Sequence, residues 1–211
     1  PLLLSCRKEG KGLCIELYSK QIPLSEYLKQ KDTIETVMNL KIISITQGKD
    51  MQHTIIKAAH ASNDKDIILY WSDALLSKKD FEIVLGESEF GVESIDISGT
   101  PHILIGGGSG SGKSKLLKLI LIECIKKGAK VFIADFKGGI DFPQIWREKC
   151  CLIVSQPELE EQLSSIIEEM DERRNLLLQT GTANVHEYND KIGKQLPRMI
   201  IACDEVAEVL D

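Results

Sequence analysis

Up to about residue 100 the apolar positions come in short or alternating runs: Leu13 to Leu17, Ile42 to Ile45, Thr54 to Ile56, Ile67 to Trp71, Phe81 to Leu85 and Val92 to Ile97. Runs of this kind predict β-strands. Between the first two, Leu24, Tyr27, Leu28, Ile34 and Val37 are spaced as on a helix and predict one or two helices within Pro23 to Leu40. From Pro101 onward the pattern becomes strand then helix in alternation, which predicts a parallel α/β sheet. His102 to Ile105 reads as a buried-type strand. Lys113 to Lys127 reads as a helix with Leu117, Ile120, Leu121 and Cys124 on one face. Lys126 and Lys127 suit its negative dipole end, and Gly128 suits the left-handed cap. A strand at Val131 to Ala134 and another at Cys151 to Val154 come next. Ser155 to Glu158 has the spacing of a capping box and opens a long helix through Leu159, Leu163, Ile166, Met170 and Leu177, stopped at Thr180-Gly181. Asn184 to Tyr188 suits a helical turn, and Met199 to Cys203 is the last strand. The expected architecture is therefore α/β, with a β-rich lobe over 1–100 and a parallel-sheet domain over 101–211.

Composition changes this picture little. With 43% hydrophobic residues in 211, the chain can bury a core as one domain, or as one domain with an added lobe. No apolar run approaches the ~18 residues a membrane span needs; Lys118 interrupts the patch from Leu116 to Ile122. No secretory leader is expected, and a chain that begins at Pro1 and ends on Asp211 within an apolar-acidic pattern is expected to be part of something longer. Cys6, Cys14, Cys124, Cys150, Cys151 and Cys203 lack the spacing of a zinc site or a redox pair, so they are expected as reduced, packed thiols. Net charge is −6, with 12 basic against 15 acidic side chains up to residue 100 and 14 against 17 beyond it. Bulk charge gives no support for nucleic-acid binding, so any such contact must come from local loops.

The stretch Gly107-Gly108-Ser109-Gly110-Ser111-Gly112-Lys113-Ser114 is either a flexible linker or a phosphate cradle. A strand before it and an amphipathic helix starting at its last residues favour the cradle. Glycines let consecutive N–H groups turn toward a β-phosphate while the helix N-terminus adds positive charge. Lys113 would reach the β- and γ-phosphates, and the Ser114 hydroxyl would ligate Mg2+. Such a site needs a carboxylate at the end of a neighbouring strand and a group that polarises water. Asp204 and Glu205, directly after Met199 to Cys203, supply both in that order.

Other residues leave alternatives open. Asp135 and Lys137, in Asp135-Phe136-Lys137-Gly138-Gly139, face either a nucleotide or a neighbouring subunit, or belong to an ordinary glycine turn. Arg173 lies one helical turn after Glu169, as an i, i+4 surface pair or as an arginine acting on another subunit. His102 reads as a strand-entry residue rather than a ligand.

Four separated pieces together resemble the FtsK/SpoIIIE family of hexameric DNA-pumping ATPases. They are "PHILIGGGSGSGKS", "VFIADFKGG", "EMDERRNLLLQTGTANVHEYND" and "IIACDEVAEVLD", in that order across Pro101 to Asp211. Within the family, "IILYWSDALLSKKDFEIVLGES" looks most like the Gram-positive conjugation branch. Phe136 stands where the family has proline, and Thr182-Ala183-Asn184 replaces its arginine-containing turn, so no role of that arginine is carried over. The resemblance implies a P-loop NTPase with a RecA-like sheet, incomplete at the C-terminus, beside a β-rich lobe. It implies ATP and Mg2+ as cofactors, double-stranded DNA as partner, and a homo-oligomer, a hexamer, in the full-length parent. It also implies a sensor strand, a winged-helix domain and a membrane tether outside this chain, and so a cytoplasmic place at the inner face of the membrane. Two other functions stay open: a related secretion ATPase that moves protein, and a nucleotide-dependent assembly module without productive turnover.

Overall fold

In the computed structural model, which describes residues 1–60, 70–100, 102–193 and 196–204, the first alternating runs pair into an antiparallel sheet. Strands β1 (Leu2–Glu9), β2 (Gly12–Tyr18), β3 (Leu40–Gln47) and β4 (His53–His60) are arranged in the order β1-β2-β4-β3. Between β2 and β3 lie the helices α1 (Leu24–Lys29) and α2 (Lys31–Met38), as the sequence pattern predicts. Tyr27 joins Ile15, Leu40, Ile42, Ile45, Ile56 and Ala58 in one buried cluster. Ile42 and Ile45 are three residues apart, yet both are buried, because the β3–β4 register shifts between Ile42 and Ser44. The inserted residue returns Ile45 to the buried face, and Ile43, 48% exposed, is left outside.

The sequence pattern does not predict strand β1. Its Leu2, Leu3 and Leu4 are all exposed on an edge strand, so they show no alternation to read. Strands β5 (Glu82–Ser88) and β6 (Gly91–Asp96) form a two-stranded sheet. At its turn the Glu89 carbonyl accepts the N–H groups of Lys11 and Gly12 at 2.8 and 3.0 Å. A Cβ on Gly12 would lie 2.5 Å from the Phe90 ring, so glycine is what lets that ring close over the β1–β2 turn. The strand expected at Ile67 to Trp71 lies mostly outside the described residues, and Tyr70 and Trp71 have no strand structure.

The chain divides into two units, Pro1–Leu75 with Val84–Ile95, and Leu76–Ile83 with Asp96–Asp211. The second holds a parallel sheet of β7 (Lys130–Ala134), β8 (Cys151–Ile153) and β9 (Met199–Cys203), in the order β8-β7-β9. Val131, Phe132, Ile133 and Ala134 are all buried, as expected of a central strand covered on both faces. Helix α3 (Lys113–Lys126) buries Ile120, Leu121 and Cys124, and Gly128 just beyond it takes the left-handed φ of 80° expected for its cap. A short α4 (Gln144–Arg147), not anticipated from the sequence, sets Trp146 edge-on to Phe142 at 5.3 Å between ring centroids. Helix α5 (Gln156–Thr180) packs Leu159 and Ile166 on Phe132, Ala134 and Ile153, and α6 (Val185–Ile192) comes after it, capped by Asn184. No helix among the described residues is long and apolar enough to cross a membrane.

Two local expectations are corrected. Ser155 is the N-cap of α5, but its side chain caps nothing; Glu158 instead accepts the Val154 N–H at 2.9 Å, so only the return half of the capping box is made, one residue early. Arg173 does pair with Glu169, but it is buried rather than on the surface. Its guanidinium donates to the Pro197 carbonyl at 2.6 Å as well as to Glu169, and Lys130 at the start of β7 reaches the other Glu169 oxygen at 2.9 Å. Both cations bond inside this unit, tying α5 to the entrances of β7 and β9, while the buried Arg173 Nε has no hydrogen-bond partner. That geometry replaces the reading of Arg173 as a residue acting on another subunit.

The bonds from Lys130, then those from Arg173, hold the Glu169 carboxyl below the usual glutamate range. A lowered carboxylate contributes stability that is full above its unfolded value and fades as pH falls through the folded one. Glu169→Gln should therefore lower stability at pH 7 by about 1–2 kcal/mol, and the difference from the parent should shrink as the solution is taken below pH 4; paired thermal melts across that range check this.

Candidate nucleotide site

Helix α3 begins without a side-chain cap, at Gly112, whose φ is 97°. Gly110 before it has φ 76°, so the loop takes two left-handed steps within three residues that other side chains adopt only under strain. The first-turn N–H groups of a 14-residue helix thus open onto an exposed glycine loop, which is the arrangement that attracts phosphate. Lys113 folds back over this loop and donates to the carbonyls of Gly107 and Gly108 at 2.7 and 3.0 Å. Its ammonium is held within the loop that it would share with an anion. Ser109 and Ser111 lie exposed on the same loop, and Ser114 sits in the first turn of the helix, half-buried.

The strand expected at His102 to Ile105 is not formed. This segment has no strand structure; Ile103 is 46% and Leu104 is 87% exposed, and His102 is exposed as well. Both edges of β7 are taken by β8 and β9, and the outer edge of β9 carries no strand among the described residues. A cavity of about 930 Å³ lies there, lined by Ile103, Ile105, Leu117, Leu121, Ile200 and Ala202 among others.

The acids are placed by sheet register. Ala134 stands opposite Cys203, and the Asp204 N–H donates to the Ala134 carbonyl at 3.0 Å, so Asp135 and Asp204 leave the sheet side by side. Asp135 is 1% exposed. Its Oδ1 accepts the Lys137 N–H at 3.0 Å, and its Oδ2 has no hydrogen-bond partner. The Asp204 carboxyl is pushed up, chiefly by burial and then by Asp141 and Asp135, against the opposing pull of Lys137 and Lys118. Lys118, read in the sequence only as a break in an apolar run, pairs with Asp141 at 3.6 Å and lies 5.2 Å over the Phe142 ring. It and Asp141 are the neighbours that sequence reasoning missed; a lone lysine in the apolar run of a helix is the signal that was available. Glu205 lies outside the described residues.

Among the described residues, no three His, Cys, Asp or Glu side chains are grouped to hold a metal by themselves. Magnesium is ordinarily held by one or two carboxylates with substrate phosphates and water, so Ser114 and Asp204 suit a cation that arrives on a nucleotide. The uncapped helix, the glycine loop and the orphaned Asp135 oxygen are all consistent with that group. All six cysteines are free, and burial lifts the Cys124 thiol to about 11.

A glycine-rich loop running into a helix, beside a parallel sheet whose strand ends carry acids, defines a P-loop NTPase. The chain belongs to the FtsK/SpoIIIE family, which matches residues 75–204. It is 25% identical over 215 residues to the DNA translocase FtsK of Campylobacter jejuni subsp. jejuni strain 81-176, covering 91% of this chain and 22% of that protein. It is 28% identical over 127 residues to the DNA translocase SftA of Bacillus subtilis strain 168, covering 55% of this chain and 13% of that one. Among solved structures it is similar to the monomer form of the pCW3 conjugation coupling protein TcpA with ATPγS. The TM-score is 0.66 at 33% identity, over 99% of this chain and 59% of TcpA. The chain therefore spans a minor part of its curated relatives and somewhat over half of the solved neighbour.

Lys113→Ala removes the charged donor from a loop of neutral N–H groups and should weaken Mg-ATP binding at least tenfold, as read by titration of a fluorescent nucleotide. Asp204→Asn should weaken binding measured with magnesium while leaving binding in EDTA within about twofold of the parent; an equal fall in both would make Asp204 structural.

Proposed function

We propose that this chain is the ATP-binding part of a motor that moves double-stranded DNA. The observation that carries the reading is an uncapped, lysine-crossed glycine loop at the start of α3, together with an Asp204 strand end that feels the charge of Lys118 on the same helix, in a chain of the FtsK/SpoIIIE family. In this reading Gly107 to Ser114 wrap the phosphates, with Lys113 moving from the loop carbonyls to the β- and γ-phosphate oxygens. Ser114 and Asp204 hold the nucleotide's magnesium, which neutralises charge that develops on the phosphates when bound. Glu205 orients the attacking water and takes its proton. The names of the relatives, DNA translocases and a conjugation coupling protein, favour DNA as the load and transfer between cells as one setting. A homo-oligomeric ring, six-fold in the full-length protein, and a membrane tether supplied from outside this chain belong to the same proposal.

The acidic balance of the chain, net −6, leaves a protein-moving relative open as the alternative. Phosphate release separates the two. It would be measured on this chain and on a version extended past Asp211 by its gene's own continuation, each with and without double-stranded DNA. The expected outcome is ATP binding with slow turnover in the short chain, and turnover in the longer one that DNA raises. A group reaching in from a neighbouring subunit is worth about 10³-fold or more in such enzymes. A longer version indifferent to DNA would sink the DNA reading, and a short chain already as fast would make the P-loop and its acids a self-sufficient hydrolase.

A further inference from the structure

Asp135 is over-equipped for the turn it occupies. The turn uses one oxygen, Oδ1, to accept the Lys137 N–H. An asparagine or a serine would do that equally well. The second oxygen is fully enclosed and bonded to nothing, in a side chain 1% exposed. Burying a carboxylate in this way is costly unless something offsets its charge. Lys118 nearby is engaged with Asp141 and the Phe142 ring, and no hydrogen bond reaches Oδ2.

Register says where the charge is directed. Residues matched across neighbouring parallel strands share a face, with strands about 4.8 Å apart. Asp135 and Asp204 directly follow the matched pair Ala134 and Cys203, and the Asp204 N–H bonds to Ala134. Two carboxylates so placed repel each other, and a divalent cation at Asp204 would relieve both. Magnesium takes one or two carboxylates together with water and phosphate, and an enclosed Asp135 oxygen acts on such a cation through its charge.

We propose that Asp135 is the second acid of the nucleotide site, a positioning residue whose unpartnered charge beside Asp204 strengthens the hold of Asp204 and Ser114 on a divalent cation. The proposal rests on the nucleotide reading and adds to it a residue acting beyond the cation's own ligands. Asp135 then weakens the cation-free protein and strengthens the loaded one. A purely structural turn acid would do neither of these.

The test uses the whole chain, with Mn2+ as the probe cation and ATPγS as nucleotide, reading cation affinity by electron paramagnetic resonance and stability by thermal melting in EDTA. Asp135→Asn should weaken Mn2+ in the nucleotide complex by roughly tenfold, as loss of a group just beyond the ligands does. Its ATPγS affinity in EDTA should stay at the parent's value, and its EDTA melting point should equal or exceed the parent's. Asp135→Ser, which keeps an acceptor for the Lys137 N–H, should show the same loss of Mn2+. Parent-like Mn2+ affinity in Asp135→Asn, while Asp204→Asn loses it, would overturn the role of Asp135 and leave the nucleotide site standing. A lowered EDTA melting point in both variants, or failure of both to fold, would make the acid structural. A parent chain that takes up no Mn2+ with ATPγS would remove the nucleotide reading itself, and this proposal with it.

Discussion

Strands β7 and β9 run parallel and in step, with Ala134 opposite Cys203, and the residue after each is an aspartate. The chemistry at the carboxyl end of the sheet depends on this match. A slip of one residue would turn one of the acids to the opposite face. The match is fixed at the other end of the strands. There the Lys130 N–H bonds to the Arg198 carbonyl at 2.8 Å, and Arg173 holds the Pro197 carbonyl while sharing Glu169 with Lys130. The buried arginine thus acts on the site at the length of a strand, by deciding where β9 starts relative to β7.

The elements legible in the sequence were those whose burial has a simple period. The stripe Ile120, Leu121 and Cys124, the run Val131 to Ala134 and the stop at Gly181 each state a local physical preference that nothing distant overrules. Strand β1 was hidden because its leucines face outward on an edge, and α4 because four residues are too few to show a stripe. The segment from His102 to Ile105 failed in the opposite sense. It has the composition of a buried strand, but it is not bonded to the open outer edge of β9, with which it lines a cavity.

The candidate site divides along the same line. Its loop was readable because glycines, lysine and serine must succeed one another in the chain. The acids at the strand ends were readable only as positions in sequence. That Asp135 is sealed in with one oxygen spare, and that Lys118 and Asp141 converge beside Asp204, depends on residues far apart in the chain meeting in space. The antiparallel sheet of the first unit shows the same limit: the burial of both Ile42 and Ile45 depends on a bulge that only the pairing of β3 with β4 reveals.

The back-folded Lys113 has a consequence for selectivity among anions. Its ammonium already has two carbonyl acceptors at hydrogen-bond distance, which leaves one of its three N–H groups for an incoming phosphate. An isolated inorganic phosphate gains little from that single bond. In the nucleotide reading, a polyphosphate chain would span the loop and collect several backbone N–H groups together with the lysine. On that reading the loop would favour anions long enough to reach the backbone N–H groups and the lysine at once.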